Sequence, residues 1–589
     1  MTDKYFSTNK GSIQILLEIW NHLTKRRKIQ LFIFSILNLL SSFSESFSIA
    51  MTLPLISVLI DPSQMWGILW IQKLCLSFGI NNPSQLITPI TLIFIIASLF
   101  STFIKLFILR TNNFFAASIG NDISSLTYST ILNQPYEEQI ELNSSEAISA
   151  ATNYADATRE AIYGSLNFLS YSSFVLTIEI TLFIFNWKVA LASIIVFGIS
   201  YFFVSYKSKL KILKNGKIIA NYGKERVKSI QEGLGSIRDI LLGSKQKIFI
   251  DHYSKIDLIY RKKAASNKFI TFSPRYIIEN VGFIFLAIIA YKLAGKENGT
   301  SNILPVLGTF AVAAQKLLPS MQQCYNSIGT IRSNKSSVEK VLEILNKKNN
   351  IFDLKGIKPF DFKNDIKLIN ISFKYQSSNK FILNKINLQL RKGERIGIVG
   401  PTGSGKSTFT DILMGLLKPT SGEIIIDNIN LYGSDKPLNI YKWRLSISHV
   451  PQNIFLSDSS IAENIAFGIP FNEIDFLKVE SVAKRAKIDI FINQTKNKYL
   501  TKVGENGIKL SGGERQRIGI ARALYNNAKV IVFDEATSAL DDKTESEVIS
   551  SLNQLDDDLT IIIIAHRLTT LKICNRVLKI EDSNINQVI

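Results

Sequence analysis

The run Gly400-Pro401-Thr402-Gly403-Ser404-Gly405-Lys406-Ser407 spaces its glycines so that the backbone can bend tightly before a lysine and a hydroxyl. Such a bend turns successive N–H groups toward one point, a geometry that cradles phosphate. Lys406 would neutralise β/γ-phosphate oxygens, and the Ser407 hydroxyl, with Thr408 beside it, would reach a Mg²⁺ ion. Further along, the apolar run Val530–Phe533 ends in Asp534 and Glu535. Asp534 is placed for Mg²⁺, directly or through water, and Glu535 to polarise a water as general base. Together these residue types serve phosphoryl transfer from a nucleoside triphosphate to water.

The elements that must hold them follow from pattern. Arg395–Val399 is an apolar strand entering the glycine-rich run, and the segment after it is helical. From Ile366 to Glu581 short β runs alternate with helices, the signature of an α/β domain. Residues 331–365 are expected to be a linker, with a connecting helix over Ser333–Lys348. Residues 1–330 are a different material. Apolar runs at Ile29–Ile60, Leu86–Leu109, Ala161–Phe185, Val189–Tyr206, Tyr276–Ala294 and Ile303–Leu318 predict six membrane spans. The third and fourth are joined by a tight turn at Asn186-Trp187-Lys188. Between the first two, Ser63–Ile80 places Trp66, Leu69, Trp70, Leu74 and Phe78 at helical spacing, as in an amphipathic helix lying on the outer surface or packed on its own spans.

The formal charge of +20 on 589 residues raises nucleic acid as a partner. Much of the basic charge flanks apolar spans, as the positive-inside rule requires, so that partner is set aside. Lys207–Lys268 is rich in Lys and Arg, whereas the connections at 61–85 and 295–302 carry only Lys73 and Lys296. Both termini are then cytoplasmic. The long inner connections predict helices that continue beyond the membrane and return, with reversals near Pro135 and Gly233-Leu234-Gly235 as docking points. Residues 1–28 lack a cleavable leader pattern, so the first apolar run is expected to stay as an anchor. Cys75, Cys324 and Cys574 form no metal pattern. His22, His252 and His449 read as surface or packing residues.

Leu510-Ser511-Gly512-Gly513-Glu514-Arg515-Gln516-Arg517 resembles the signature of the ABC transporter ATPases. Other elements resemble that family's in its order: Tyr375 as the aromatic on adenine, Gln452 as the Q-loop glutamine near Mg²⁺, Glu505 in an exporter-type X-loop, Ser538-Ala539-Leu540-Asp541 as the D-loop, and His566 as the switch histidine. Asn506 is a mild departure within the X-loop. With six spans preceding it, the whole chain is similar to a half-size ABC exporter: a six-span helical domain followed by an α/β P-loop nucleotide-binding domain. The resemblance implies an ATPase using ATP and Mg²⁺, and sites shared between two chains. Ser511, Gly512, Gly513 and Glu514 would complete the opposite subunit's site, in a homodimer or, alternatively, a heterodimer.

Cargo must be read from the spans. Lys105, Arg275 and Lys316 lie within or beside them, where a cation facing lipid is costly, so they are expected to line a polar cavity or snorkel, or one to pair with Glu279. Ser273–Phe283 and Lys316-Leu317-Leu318-Pro319-Ser320 resemble segments of bacterial lipid-linked oligosaccharide flippases. That implies flipping of a polyprenyl-diphosphate saccharide across a bacterial inner membrane. A general lipid, lipid A, drug or peptide exporter is the alternative, and a membrane ATPase that senses without moving cargo is the reading from another class.

Overall fold

The computed structural model describes residues 11–77, 79–294, 300–347, 356–376, 378–433, 438–535, 545–547, 550, 553, 556–565, 567 and 571–588. The chain divides into two compact units, 1–134 with 142–350, and 135–141 with 351–589.

The first unit is helical. Among the described residues, four stretches are long and apolar enough to cross a membrane: Lys25–Ile60, Pro83–Leu132, Ser144–Ile184 and Ala190–Gly235. The fifth and sixth apolar runs lie in helices Pro274–Ala294 and Thr300–Leu345, where several side chains fall outside the described residues. Helices outrun the bilayer as expected: Ile87–Leu132 has 46 residues, and at ~1.5 Å per residue that is more than twice the ~30 Å of a hydrocarbon core. Helical backbone runs unbroken from Ala155 to Gly235, yet the Ser193 hydroxyl donates to Glu179 at 3.1 Å. Fourteen residues of straight helix would hold them ~21 Å apart. The chain therefore reverses between them, where Asn186-Trp187-Lys188 lies.

Two expectations need correction. Residues 331–345 are not linker; they are the end of helix Thr300–Leu345. Val338, Val341 and Leu342 recur at helical spacing and are buried in the core with Ile119, Tyr154 and Ile15, and Lys340 bonds Glu146, which also holds Lys224. Nor is Ser63–Ile80 one helix. It forms Pro62–Trp66 and Leu69–Ser77, interrupted at Gly67, with Trp66 packed on the Val58, Cys75, Leu86 and Ile90 cluster. Leu69 is exposed, and the side chains of Trp70, Leu74 and Phe78 lie outside the described residues.

The second unit is α/β. Strands β1 (Asp365–Phe373), β2 (Leu383–Arg391), β4 (Ser421–Ile426) and β5 (Ile429–Asn430) form an antiparallel sheet in the order β2-β1-β4-β5. The other sheet has the order β10-β9-β3-β8-β7-β6. There β3 (Arg395–Val399), β6 (Ile447–Val450), β7 (Val530–Asp534), β8 (Thr560–Ile564) and β9 (Arg576–Glu581) run parallel, with β10 (Asn584–Gln587) antiparallel at the edge. Side chains alternate across a strand, and here the alternation builds two cores. Val530, Val532, Ile562 and Ile564 face the core that holds the antiparallel sheet and helix Lys406–Leu413. Ile531, Phe533, Ile561 and Ile563 face the other, which packs helices Phe476–Arg485 and Gly512–Tyr525.

Candidate functional site

The glycine-rich run leaves β3 and enters helix Lys406–Leu413. Gly400 and Gly405 have φ of 155° and 101°. A Cβ on Gly400 would stand 2.3 Å from the Ile580 carbonyl oxygen, so no other residue fits there without displacing β9. Between them lie exposed Pro401, Thr402 and Gly403, and the Ser404 amide closes a turn onto the Pro401 carbonyl at 3.2 Å. Lys406 is buried, and its ammonium donates to the carbonyls of Gly400 and Pro401 at 2.9 and 3.0 Å. Ser407 is exposed and Thr408 buried, with the Thr408 hydroxyl 3.4 Å from the Tyr375 hydroxyl. Tyr375 stands edge-on to Phe373. Ser404 Oγ is buried with no hydrogen-bond partner among the described residues.

Asp534 ends β7, and Glu535 follows with φ of 47°, a left-handed backbone that is strained for a non-glycine residue. Its amide is tied to the Ile564 carbonyl at 3.0 Å. Gln452 Nε2 donates to Glu535 Oε2 at 2.9 Å. Burial first, then the Glu535 charge, pushes the Asp534 carboxyl above its usual range, while Lys406 pulls it back. Asp411 beneath is pushed up to about 6, by burial and then by Asp534. Among the described residues Lys406 is the cation that acts on Asp534. The open Ser404 hydroxyl, the glycine cradle and the oxygen-bearing set of Ser407, Gln452 and Asp534 fit a triphosphate with Mg²⁺, a hard cation that takes oxygen ligands.

Ser511 caps helix Gly512–Tyr525. Its amide donates to the Glu514 carboxylate at 2.8 Å and its hydroxyl accepts from the Glu514 amide at 3.3 Å, a capping box. Gly512 is exposed and Gly513 buried. This helix belongs to the core opposite the one holding Lys406. The expected Asp541 and His566 lie outside the described residues.

Two residues escaped the sequence reading. Asp411 is one. Tyr136 is the other: segment 135–141 belongs to this unit, and Tyr136 packs on the same core as Tyr375, its phenol raised by burial and then by Asp411.

In the helical unit Lys105 and Lys316 converge on one buried carboxylate, Glu45, at 2.9 and 3.4 Å. Each lysine side chain stays about half exposed, 51% and 49%, so each still presents a free flank. Arg275 does not join them; it pairs with Glu279 at 2.6 Å along its own helix. Of the three expected basic residues, two therefore meet around one anion, and the third, Arg275, makes the pair with Glu279. Glu45 was legible as a lone acid inside the first apolar run, since an ionisable residue there marks a site by default.

Residues 383–538 match the ABC transporter family. The match contains the glycine-rich loop, Gln452, Ser511–Glu514, Asp534 and Glu535. The chain is 33% identical over 300 residues to ABC transporter B family member 29, chloroplastic, of Arabidopsis thaliana, covering 51% of this chain and 46% of that one. It is 42% identical over 250 residues to the leukotoxin translocation ATP-binding protein LktB of Mannheimia haemolytica, covering 42% and 34%. It thus spans less than half the length of these curated relatives. Its fold matches a bacterial Atm1-family ABC exporter solved with ATP bound, at a TM-score of 0.75 and 21% identity over 95% of each chain. The chain thus carries an ABC transporter domain at residues 383–538, apolar helices long enough to cross a membrane, and the fold of an ABC exporter.

Proposed function

We propose that this chain hydrolyses ATP to move an amphipathic substrate outward across a bacterial inner membrane, and that the substrate is a polyprenyl-diphosphate saccharide. The observation that carries the hydrolytic part is the hydrogen bond from Gln452 to Glu535 beside Asp534, facing a loop built for phosphate. Glu535 takes the proton of the attacking water, and Gln452 holds that carboxylate in place. Lys406 and the loop amides stabilise the charge that grows on the phosphoryl oxygens. Ser407, Asp534 and Gln452 would hold Mg²⁺, which would supply further charge neutralisation. Tyr375 stacks on the base, and His566 steadies the terminal phosphate.

The assembly proposed is a homodimer. Ser511, Gly512, Gly513 and Glu514 sit at a helix start, where amides bind anions. In this chain they rest on the other core from Lys406, which suits completion of a second copy's site. Leu234, Leu241 and Leu242 at the second cytoplasmic reversal are exposed apolar residues, as a docking point needs.

Support for the cargo comes from the flippase-like segments Ser273–Phe283 and Lys316–Ser320 and from the half-exposed lysines on Glu45, which leave one net positive charge for a diphosphate. The name of the leukotoxin-translocating relative favours a polypeptide as the second reading. The test is ATP-dependent movement of a fluorescent polyprenyl-diphosphate saccharide in vesicles holding only this protein. Movement abolished by Glu535→Gln is expected; ATP hydrolysis without movement would remove the lipid-linked saccharide and send the search to polypeptides.

A further inference from the structure

Three membrane helices of the first unit each turn a polar stripe toward a common pocket. Asn38, Ser42 and Glu45 stand at i, i+4 and i+7 on the first, and Lys105 and Asn112 seven apart on the second. Asn167, Ser170 and Tyr171 occupy one face of the third. Such spacing places side chains on a single side of a helix. Polar groups are expensive against lipid, so stripes facing inward in concert mark a site. They enclose a cavity of about 120 Å³.

The lining is built rather than incidental. Asn38, Ser42 and Asn112 are only 2%, 4% and 3% exposed. The Asn38 amide donates to the Phe34 carbonyl and the Ser42 hydroxyl to the Asn38 carbonyl, both at 2.9 Å, which fixes their orientation. Asn112 donates its amide to Asn167 Oδ1, yet its own Oδ1 is buried with no hydrogen-bond partner among the described residues. A buried acceptor left open is costly, and Asn112 lines this cavity, where a small shift of its amide would let a ligand or water supply the missing donor. The charged rim is largely spent on itself through Glu45 and Lys105.

What remains is a set of neutral amides, and of Ser42 and Ser170 hydroxyl oxygens that can still accept while their hydrogens go to helix carbonyls. Phe174 and Leu109 form an apolar wall beside them. Sugar rings have matching chemistry, with hydroxyls that both donate and accept around an apolar C–H face. We infer that this pocket is a saccharide subsite, which reads a sugar of the head group while the lysines face its anionic part. This rests on the lipid-linked saccharide reading above.

The test compares two activators of ATP hydrolysis in the full-length protein reconstituted in lipid: a polyprenyl diphosphate bearing a saccharide, and the same lipid without sugar. The wild-type protein is expected to respond to the saccharide form at lower concentration. Asn112→Ala and Asn167→Ala should each raise the half-stimulating concentration of the saccharide form about tenfold, the size of one or two lost hydrogen bonds, and leave that of the bare lipid in place. Asn113→Ala, exposed and one residue along, should change neither. If Asn112→Ala melts early, Ser170→Ala and Asn167→Ala carry the comparison. Equal potency of the two lipids on the wild type, or equal shifts in the variants, overturns the subsite but leaves the flippase reading standing. No response of the wild type to either lipid overturns both.

Discussion

Asp534 and Glu45 are both carboxylates enclosed by protein, and their surroundings differ in kind. Asp534 stands beside Glu535 and above Asp411, with Lys406 as its main cationic relief, and its carboxyl is raised. Glu45 is enclosed by two lysines drawn from distant helices. The first arrangement groups acids together, and a bound cation would compensate them. The second is complete, with charge left over. Burying a charge is costly unless it is compensated, so the two carboxylates sit in opposite settings, one among other acids and one between cations.

The largest test of this contrast is Glu535→Gln. It removes the base but keeps the Gln452 side and the backbone, and hydrolysis should fall ~10²–10⁴-fold with ATP binding retained. Turnover near wild type would show that another group takes the proton. Next is Glu45→Gln. Both lysines would lose their anion, but each is half solvated, so the loss should be about 1–2 kcal/mol, below the cost of opening a fully buried pair. A melting curve in detergent reads it, and an unchanged midpoint would mean that the cluster does not clamp these helices.

Asp411→Asn probes the acidic setting from the other side. A carboxyl raised to about 6 binds its proton more tightly in the folded state, so the acid favours folding at low pH and loses that advantage as pH climbs from about 4 to 6. Without nucleotide or metal, the variant should therefore be more stable than wild type by about 1 kcal/mol at pH 7.5, once solvent screening is allowed for. The gap should close at pH 4; a gap that is constant with pH would exclude titration as its source. The smallest effect is expected from Arg275→Gln, whose partner Glu279 lies on the same helix and whose side chain is 52% exposed. Its midpoint should move by no more than an exposed pair allows, ~0.5 kcal/mol.

The two sites also differ in how far the sequence discloses them. The nucleotide loop is contiguous, so residue type and spacing alone suggest its chemistry; in the structure Lys406 bonds the loop carbonyls and Gln452 bonds Glu535 next to Asp534. The reversal at Asn186-Trp187-Lys188 was legible because polar residues interrupt an apolar run. The Glu45 cluster was not: its members come from positions 45, 105 and 316, and only helix packing brings them together. The connecting helix expected over Ser333–Lys348 is helical to Leu345, but its falling hydropathy gave no sign that Val338, Val341 and Leu342 bury a narrow stripe in the helical core. Asp411 stands within the second unit as one carboxylate in a helix with no motif of its own, and the reversal near Pro135 marked a docking point without singling out Tyr136, which joins that unit over two hundred residues distant along the chain.

That last feature has a consequence for synthesis. Segment 135–141 leaves the ribosome well before 351–589, the part of the chain whose core Tyr136 covers. At ~5–20 residues per second, its partner surface is finished only ~20–90 s later. During that interval Tyr136 has no place to go, and the ATPase chain, when it emerges, folds onto a piece already waiting. An isolated fragment 351–589 would be born without that piece. Adding a peptide of residues 135–141 in trans should then raise its yield of soluble protein, a measure of assembly order that neither stability nor turnover reports.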